Sequence, residues 1–188
     1  MTEKEKCEQG LLYNANHDPE LIKERELCKN LCQEFNNTQY SSLEKRNELL
    51  RKILGSSKSN FLIEQPFWCD YGYNIEIGEN FYSNHNLVIL DGAKVRFGDN
   101  VFIGPNCGFY TAGHPENVDL RNEGLEYVRP ISVGNNVWIG GNVVVLPGVS
   151  IGDNTIIGAG SVVTKDIPDN VVAVGSPCKV IRSVNNDR

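Results

Sequence analysis

From residue 133 onward an aliphatic residue returns at every sixth position: Val133, Ile139, Val145, Ile151, Ile157 and Val163. Gly134, Gly140, Leu146, Gly152, Gly158 and Thr164 follow them directly. Four residues after each aliphatic stands Val137, Val143, Val149, Thr155, Ser161 or Ile167. Neither the 3.6-residue period of a helix nor the two-residue period of a flat strand gives this spacing. Six residues make one short strand and a bend, and three such units close a triangular coil of roughly eighteen residues. Successive coils then stack as parallel strands ~4.8 Å apart, with the aliphatic residue filling the prism. The small residue after it is expected where the backbone bends sharply and a Cβ would clash. One coil cannot bury its own inward face, so stacking is obligatory and the repeat is the fold. The predicted class is mainly β, a parallel β-helix of hexapeptide repeats. Ile77-Gly78, Phe97-Gly98 and Ile103-Gly104 extend the pattern backwards. The step from 77 to 97 predicts one coil with two extra residues. An open β-helix leaves an unpaired edge at its last coil. The segment from Asp169 to Ile181, flanked or broken by Pro168 and Pro177, is expected to cap or leave that edge.

Before residue 60 the period is helical. Asp18-Pro19-Glu20 reads as an N-cap, a first-turn proline and an acid at the positive end of the dipole. Leu21, Ile22, Leu27, Cys28, Leu31, Cys32 and Phe35 then recur on one face, and Asn36-Asn37-Thr38 ends the helix. Ser41 with Glu44 offers a capping box for a second helix, which carries Leu43, Leu49, Leu50, Ile53 and Leu54 and ends at Gly55. The expected organisation is a helical cap over 1–58, the β-helix over 59–183 and a tail over 184–188. Cys28 and Cys32 share a helix face, but that spacing alone favours core packing over metal binding, and no metal site is expected.

The repeat is suspended between Phe109 and Ile131, so an insertion over 112–130 must be extruded as a loop from a rigid scaffold. His114 lies at its root, where a histidine can serve as an acid or base near neutral pH. The net charge of -6 argues against a nucleic-acid partner. No export signal or membrane-length apolar run is visible, so a cytoplasmic protein is expected.

Tyr110-Thr111-Ala112-Gly113-His114-Pro115, Asn135-Asn136-Val137-Trp138-Ile139-Gly140-Gly141 and Gly175-Ser176-Pro177-Cys178-Lys179-Val180-Ile181 resemble the maltose and galactoside O-acetyltransferases. Asp70-Tyr71-Gly72-Tyr73-Asn74-Ile75 and the N-terminal helices extend the resemblance over essentially the whole chain. It implies a left-handed β-helix, acetyl-CoA as co-substrate and a sugar hydroxyl as acceptor. It also implies a homotrimer with each site between two subunits. By the same resemblance His114 is the general base, and Gly141 supplies the oxyanion N–H. Asp70 and Asn84 meet the acceptor, with Asp91 and Glu126 as further candidates. One residue near Asn14 to Asn16 also reaches the acceptor. Trp138, Ala159, Thr164 and Lys165 line the pantetheine slot, and Lys179 and Arg182 meet the phosphates. Three other readings stay open: a non-sugar acceptor, a non-catalytic scaffold, and a zinc enzyme using His17, His85 and His114. The last is disfavoured by the position of His17 ahead of the helical cap.

Overall fold

The computed structural model describes residues 1–185, so the expected tail beyond 185 lies outside the described residues. The chain folds as a parallel β-solenoid with a helical cap. Its three faces are three stacks of short strands. Face one stacks Ser56–Ser57, Ile75–Ile77, Val95–Phe97, Ile131–Val133 and Ser150–Ile151. Face two stacks Phe61–Ile63, Phe81–Ser83, Phe102–Ile103, Trp138–Ile139, Ile156–Ile157 and Val171–Val174. Face three stacks Phe67–Cys69, Leu87–Leu90, Gly108–Tyr110, Val144–Val145 and Val162–Val163. The first coil thus begins at Ser56, slightly ahead of the sequence-read boundary. The six repeating aliphatics from Val133 to Val163 point inward and are buried, as are all six residues four positions on. Lys179–Ser183 folds back antiparallel on Val171–Val174 and covers the last coil's edge.

Two details differ from the sequence reading. Two coils, not one, carry extra residues: Ser56 pairs with Glu76 and Ile75 with Val95, and Asn60, Asn80 and Asn100 follow one another at separations of 20. In the register, both extra pairs fall at the corner between faces three and one, around Tyr71–Asn74 and Gly92–Lys94. The large insertion leaves from that same corner one coil later. The bend residue also differs. The left-handed conformation sits on asparagine two positions after the glycine, at Asn80, Asn100, Asn136 and Asn154, and two after Pro168 at Asn170, with φ between 55° and 61°. Asparagine tolerates that region because its short amide bonds locally. Each Nδ2 donates to the Oδ1 of the next asparagine along the axis, 2.9–3.0 Å away from Asn80 to Asn170. The glycines answer a different need: a Cβ on Gly98 would come within 2.8 Å of Gly134 in the next coil.

Four helices stand among the described residues. α1 (Glu3–Glu8), which the apolar pattern does not reveal, is closed by a capping box between Thr2 and Glu5. α2 (Pro19–Asn37) starts where expected, with Asp18 accepting from the Leu21 N–H at 2.9 Å. α3 (Leu43–Ile53) is capped at Ser42 without a side-chain bond, so the expected Ser41 box does not form; Glu44 falls in the first turn, too early to reach back. α4 (Val118–Asn122) lies in the insertion, with Asn117 at its N-cap. Cys28, Cys32, Phe35, Leu49, Leu50, Ile53 and Leu54 close the first coil and join its core. Leu27 and Leu43, read as part of the same stripe, are exposed. No helix among the described residues is long and apolar enough to cross a membrane.

Candidate active site

The insertion is held at its base by an antiparallel ladder, Ala112–Gly113 against Tyr127–Val128. His114 follows immediately. Its Nδ1 lies 2.9 Å from the Leu125 carbonyl oxygen. A carbonyl can only accept, so Nδ1 carries a proton; in the neutral ring this puts the lone pair on Nε2, the tautomer a general base needs. The ring is exposed at the loop root.

A polar cleft of about 140 Å³ lies beside this root, between the N-terminal segment, α2 and the bulged corner. Asp70, Tyr71, Gly92, Ala112 and Glu126 line it from the solenoid side. Tyr13, Ala15, Asn16, Arg25 and Lys29 line it from the cap. Tyr13 and Glu126 exchange backbone hydrogen bonds of 3.1 and 2.9 Å, which strap the cap to the loop. Asn16 Nδ2 donates to Glu126 Oε1 at 3.4 Å. Asn14 instead turns to its own segment and to the Glu123 carbonyl, so of the two asparagines Asn16 is the one that faces the cleft, beside Tyr13 and Ala15. Arg25 donates to the Tyr71 hydroxyl at 2.7 Å and to the Ala15 carbonyl at 2.6 Å. Burial pushes the Tyr71 phenol up to about 12, so it remains protonated. Lys29 stands 3.5 Å from Asp70. Sequence reading missed Arg25, Lys29 and Tyr71 as cleft residues, because their roles depend on how α2 docks and not on a local motif.

Asp91 sits behind the cleft, not in it. Its side chain is fully buried, and Oδ1 accepts the N–H groups of Asp70 and Tyr71 at 2.9 Å each. It therefore fixes the corner on which Asp70 stands. The neighbouring Gly92 has a packing reason: a Cβ there would lie 2.6 Å from Val128 and 3.2 Å from the Tyr13 hydroxyl.

The remaining expected residues lie elsewhere on the prism. Asn84 occupies the corner between faces two and three, bonded through its N–H to the Ile103 carbonyl at 2.9 Å. In the register, Gly141 and Ala159 stand along that same corner in later coils. The Gly141 N–H has no partner among the described residues. Trp138 projects from face two and is 56 % exposed. Thr164 and Lys165 are exposed at the corner between faces three and one, the insertion's corner, while Lys179 and Arg182 are exposed on the closing strand. His114 and Gly141 thus stand at opposite edges of face three, and one prism does not bring them together. The three histidines do not group either, since His17 Nδ1 faces Asn14 and His85 Nδ1 faces the Gln65 carbonyl.

A solenoid of six-residue repeats with an extruded histidine loop and a helical cap defines a hexapeptide-repeat acyltransferase. The chain matches the family model described as the maltose acetyltransferase hexapeptide capping motif over residues 6–58. It matches that of the bacterial transferase hexapeptide over 130–165. It is 52% identical over 158 residues to the galactoside O-acetyltransferase of Escherichia coli strain K12, covering 84% of this chain and 78% of that protein. A maltose O-acetyltransferase from Clostridium difficile 630 superposes with a TM-score of 0.96 at 54% identity, covering 99% of both chains. A galactoside acetyltransferase solved in complex with coenzyme A superposes with a TM-score of 0.95 at 47% identity, covering 99% of this chain and 92% of that one. The chain belongs to the maltose and galactoside O-acetyltransferase family, and it is an acetyltransferase.

Proposed function

We propose that this enzyme transfers the acetyl group of acetyl-CoA to a sugar hydroxyl by direct attack, with His114 as the general base. The observation that carries the reading is the Nδ1–H bond from His114 to the Leu125 carbonyl at the root of the same loop whose Ala112 and Glu126 line the polar cleft; Nε2 has no partner among the described residues. Asp70, Asn16 and Glu126 offer the acceptor-type oxygens and amide that a polyol needs for orientation. The unpartnered Gly141 N–H suits the oxygen of a thioester carbonyl as it gains charge. The residues present fit coenzyme A. Trp138 and Ala159 give an exposed apolar surface beside Gly141, and Lys165, Lys179 and Arg182 carry no ion pair among the described residues. Lysine at 179 gives charge to a phosphate but no bidentate fork. When bound, acetyl-CoA supplies the activated acyl group. His114 removes the hydroxyl proton as the oxygen attacks, so no acetylated enzyme residue forms.

The site closes in a homotrimer. Face one turns a polar column outward, with Arg96 Nε bonded to Glu76 at 2.9 Å and Ser132 to Ser150 at 3.0 Å. Faces two and three turn apolar columns outward, with Phe102 48 %, Trp138 56 % and Trp68 40 % exposed. Two apolar faces per prism match a closed three-fold ring in which each copy gives one face to each neighbour. By the family resemblance, His114 of one copy is set opposite Trp138 and Gly141 of the next.

The reading is tested by following coenzyme A thiol release across a panel of sugars and non-sugar alcohols. Acceptor-dependent release is expected to be greatest with sugars and to fall at least ~10²-fold in His114→Ala. No release with any sugar would refute the acceptor class, and an undiminished rate in His114→Ala would refute the base.

A further inference from the structure

Two cysteines one turn apart on α2, Cys28 and Cys32, meet a third, Cys69, at the end of the face-three strand beneath the helix. The Cys28 and Cys69 sulfurs are 3.5 Å apart and those of Cys32 and Cys69 3.7 Å apart. All three Sγ atoms lie within 4.8 Å of one another, and none is in a disulfide. The residues are 4 %, 0 % and 2 % exposed. At a Zn–S distance of about 2.3 Å, the sulfurs of a tetrahedral site stand about 3.8 Å apart. The thiol triangle therefore already has the dimensions of a three-thiolate metal set.

We infer that Cys28, Cys32 and Cys69 form a binding site for a thiophilic d¹⁰ divalent cation of the zinc and cadmium type. The inference stands apart from the acetyl-transfer reading, since none of the three thiols lines the acceptor cleft. Soft thiolate sets select such ions over hard ones. Binding forms three metal–sulfur bonds and breaks three S–H bonds, and the three protons pass to solvent. The product carries one net negative charge. A surface cavity of about 200 Å³, walled by Leu27, Leu31, Ile53, Tyr71 and Tyr73, includes Cys28 and gives the ion its route. The site would tie α2 to the strand that leads directly into Asp70, so occupancy would hold the cap against the solenoid.

The test uses the reduced full-length protein, stripped with a chelator and titrated with Cd²⁺. The ultraviolet thiolate-to-metal charge-transfer band is expected to saturate at one equivalent per chain, with about three protons released per ion. Zn²⁺ should displace Cd²⁺ and, in excess, raise Tm by roughly 5 °C. The band and the Tm shift should vanish in Cys28→Ala/Cys32→Ala and persist in Cys7→Ser/Cys107→Ala/Cys178→Ala. No band in the folded parent would overturn the inference. So would a band that survives the double substitution, or one lost in the triple variant that keeps all three ligands.

Discussion

Asp91 takes two backbone N–H groups into one carboxylate oxygen and leaves the other, Oδ2, buried without a partner among the described residues. Burial pushes its pKa up to about 6 from the usual 3.8. The native state therefore holds this proton more tightly than the unfolded chain does. The ionised form subtracts stability above pH 6, on the order of 3 kcal/mol, and that penalty fades as the pH falls from 6 toward 4. Asp91→Asn keeps an acceptor for Asp70 and Tyr71 but carries no charge. It should raise Tm relative to the parent near pH 8 and lose most of that advantage by about pH 4.5 in parallel thermal melts. Asp91→Ala orphans both N–H groups and should cost about 1–3 kcal/mol near pH 4.5, a cost largely offset near pH 8, where the parent carries the ionisation penalty. A Tm difference for Asp91→Asn that does not vary with pH would mean the carboxylate is not the source.

The asparagine ladder and the cap are the elements whose stability depends on single side chains. Asn136 holds φ at 56°, accepts from Asn100 and donates to Asn154, each at 3.0 Å. Alanine there meets the left-handed region without an amide and breaks both rungs. A loss of about 2 kcal/mol is expected by chemical denaturation, and Asn136→Gly, which relieves the φ cost, should lose about half as much. Equal losses for the two would show that the amide bonds, not φ, carry the effect. The cap is anchored by Arg46 on α3, 2 % exposed, which donates to the Ile63 carbonyl at 3.0 Å and to Glu64 at 3.2 Å and lies 4.6 Å over the Tyr40 ring. Glu64→Leu leaves a buried guanidinium unpaired and should destabilise the chain by about 3–5 kcal/mol. Arg46→Leu/Glu64→Leu together should recover most of that loss. Thermal melts of the single and double variants check this.

At the scale of the whole molecule, His114 and Gly141, the proposed base and oxyanion donor, occupy opposite edges of one prism, so the proposed activity belongs to the assembly. Phe102→Glu puts a charge in the exposed apolar column of face two. It should shift the proposed trimer toward monomer in sedimentation equilibrium and abolish acetyl transfer together with it. Complementation tests the shared site directly. His114→Ala and Gly141→Pro trimers should each be inactive. After dissociation and random reassembly, about a quarter of the sites should again pair an intact His114 edge with an intact Gly141 edge, and activity should return to that fraction. No recovery from mixed trimers of confirmed composition would place both groups within one subunit.

Repetition makes the fold legible in this sequence. Every sixth residue faces the same interior, so the same physical demand is written again in each coil, and Val133 through Val163 suffice to read it. The loop and His114 are legible because they interrupt that regularity. Asp18 and Pro19 mark the start of α2 because a cap is local chemistry. The relations that depend on contacts between segments far apart in sequence were not legible. The ladder asparagines look like ordinary loop residues until coils twenty and eighteen residues apart are stacked. Asp91 reads as a candidate ligand contact until the corner closes over it. Cys28 and Cys32 read as core, which they are, but their neighbour Cys69 comes from 41 and 37 residues away and was not legible. The period thus determined the solenoid, because burial acts on every repeat alike. Only the tertiary structure decided which polar side chains face the cleft and which hold it from behind, because that depends on how the cap docks on one particular corner.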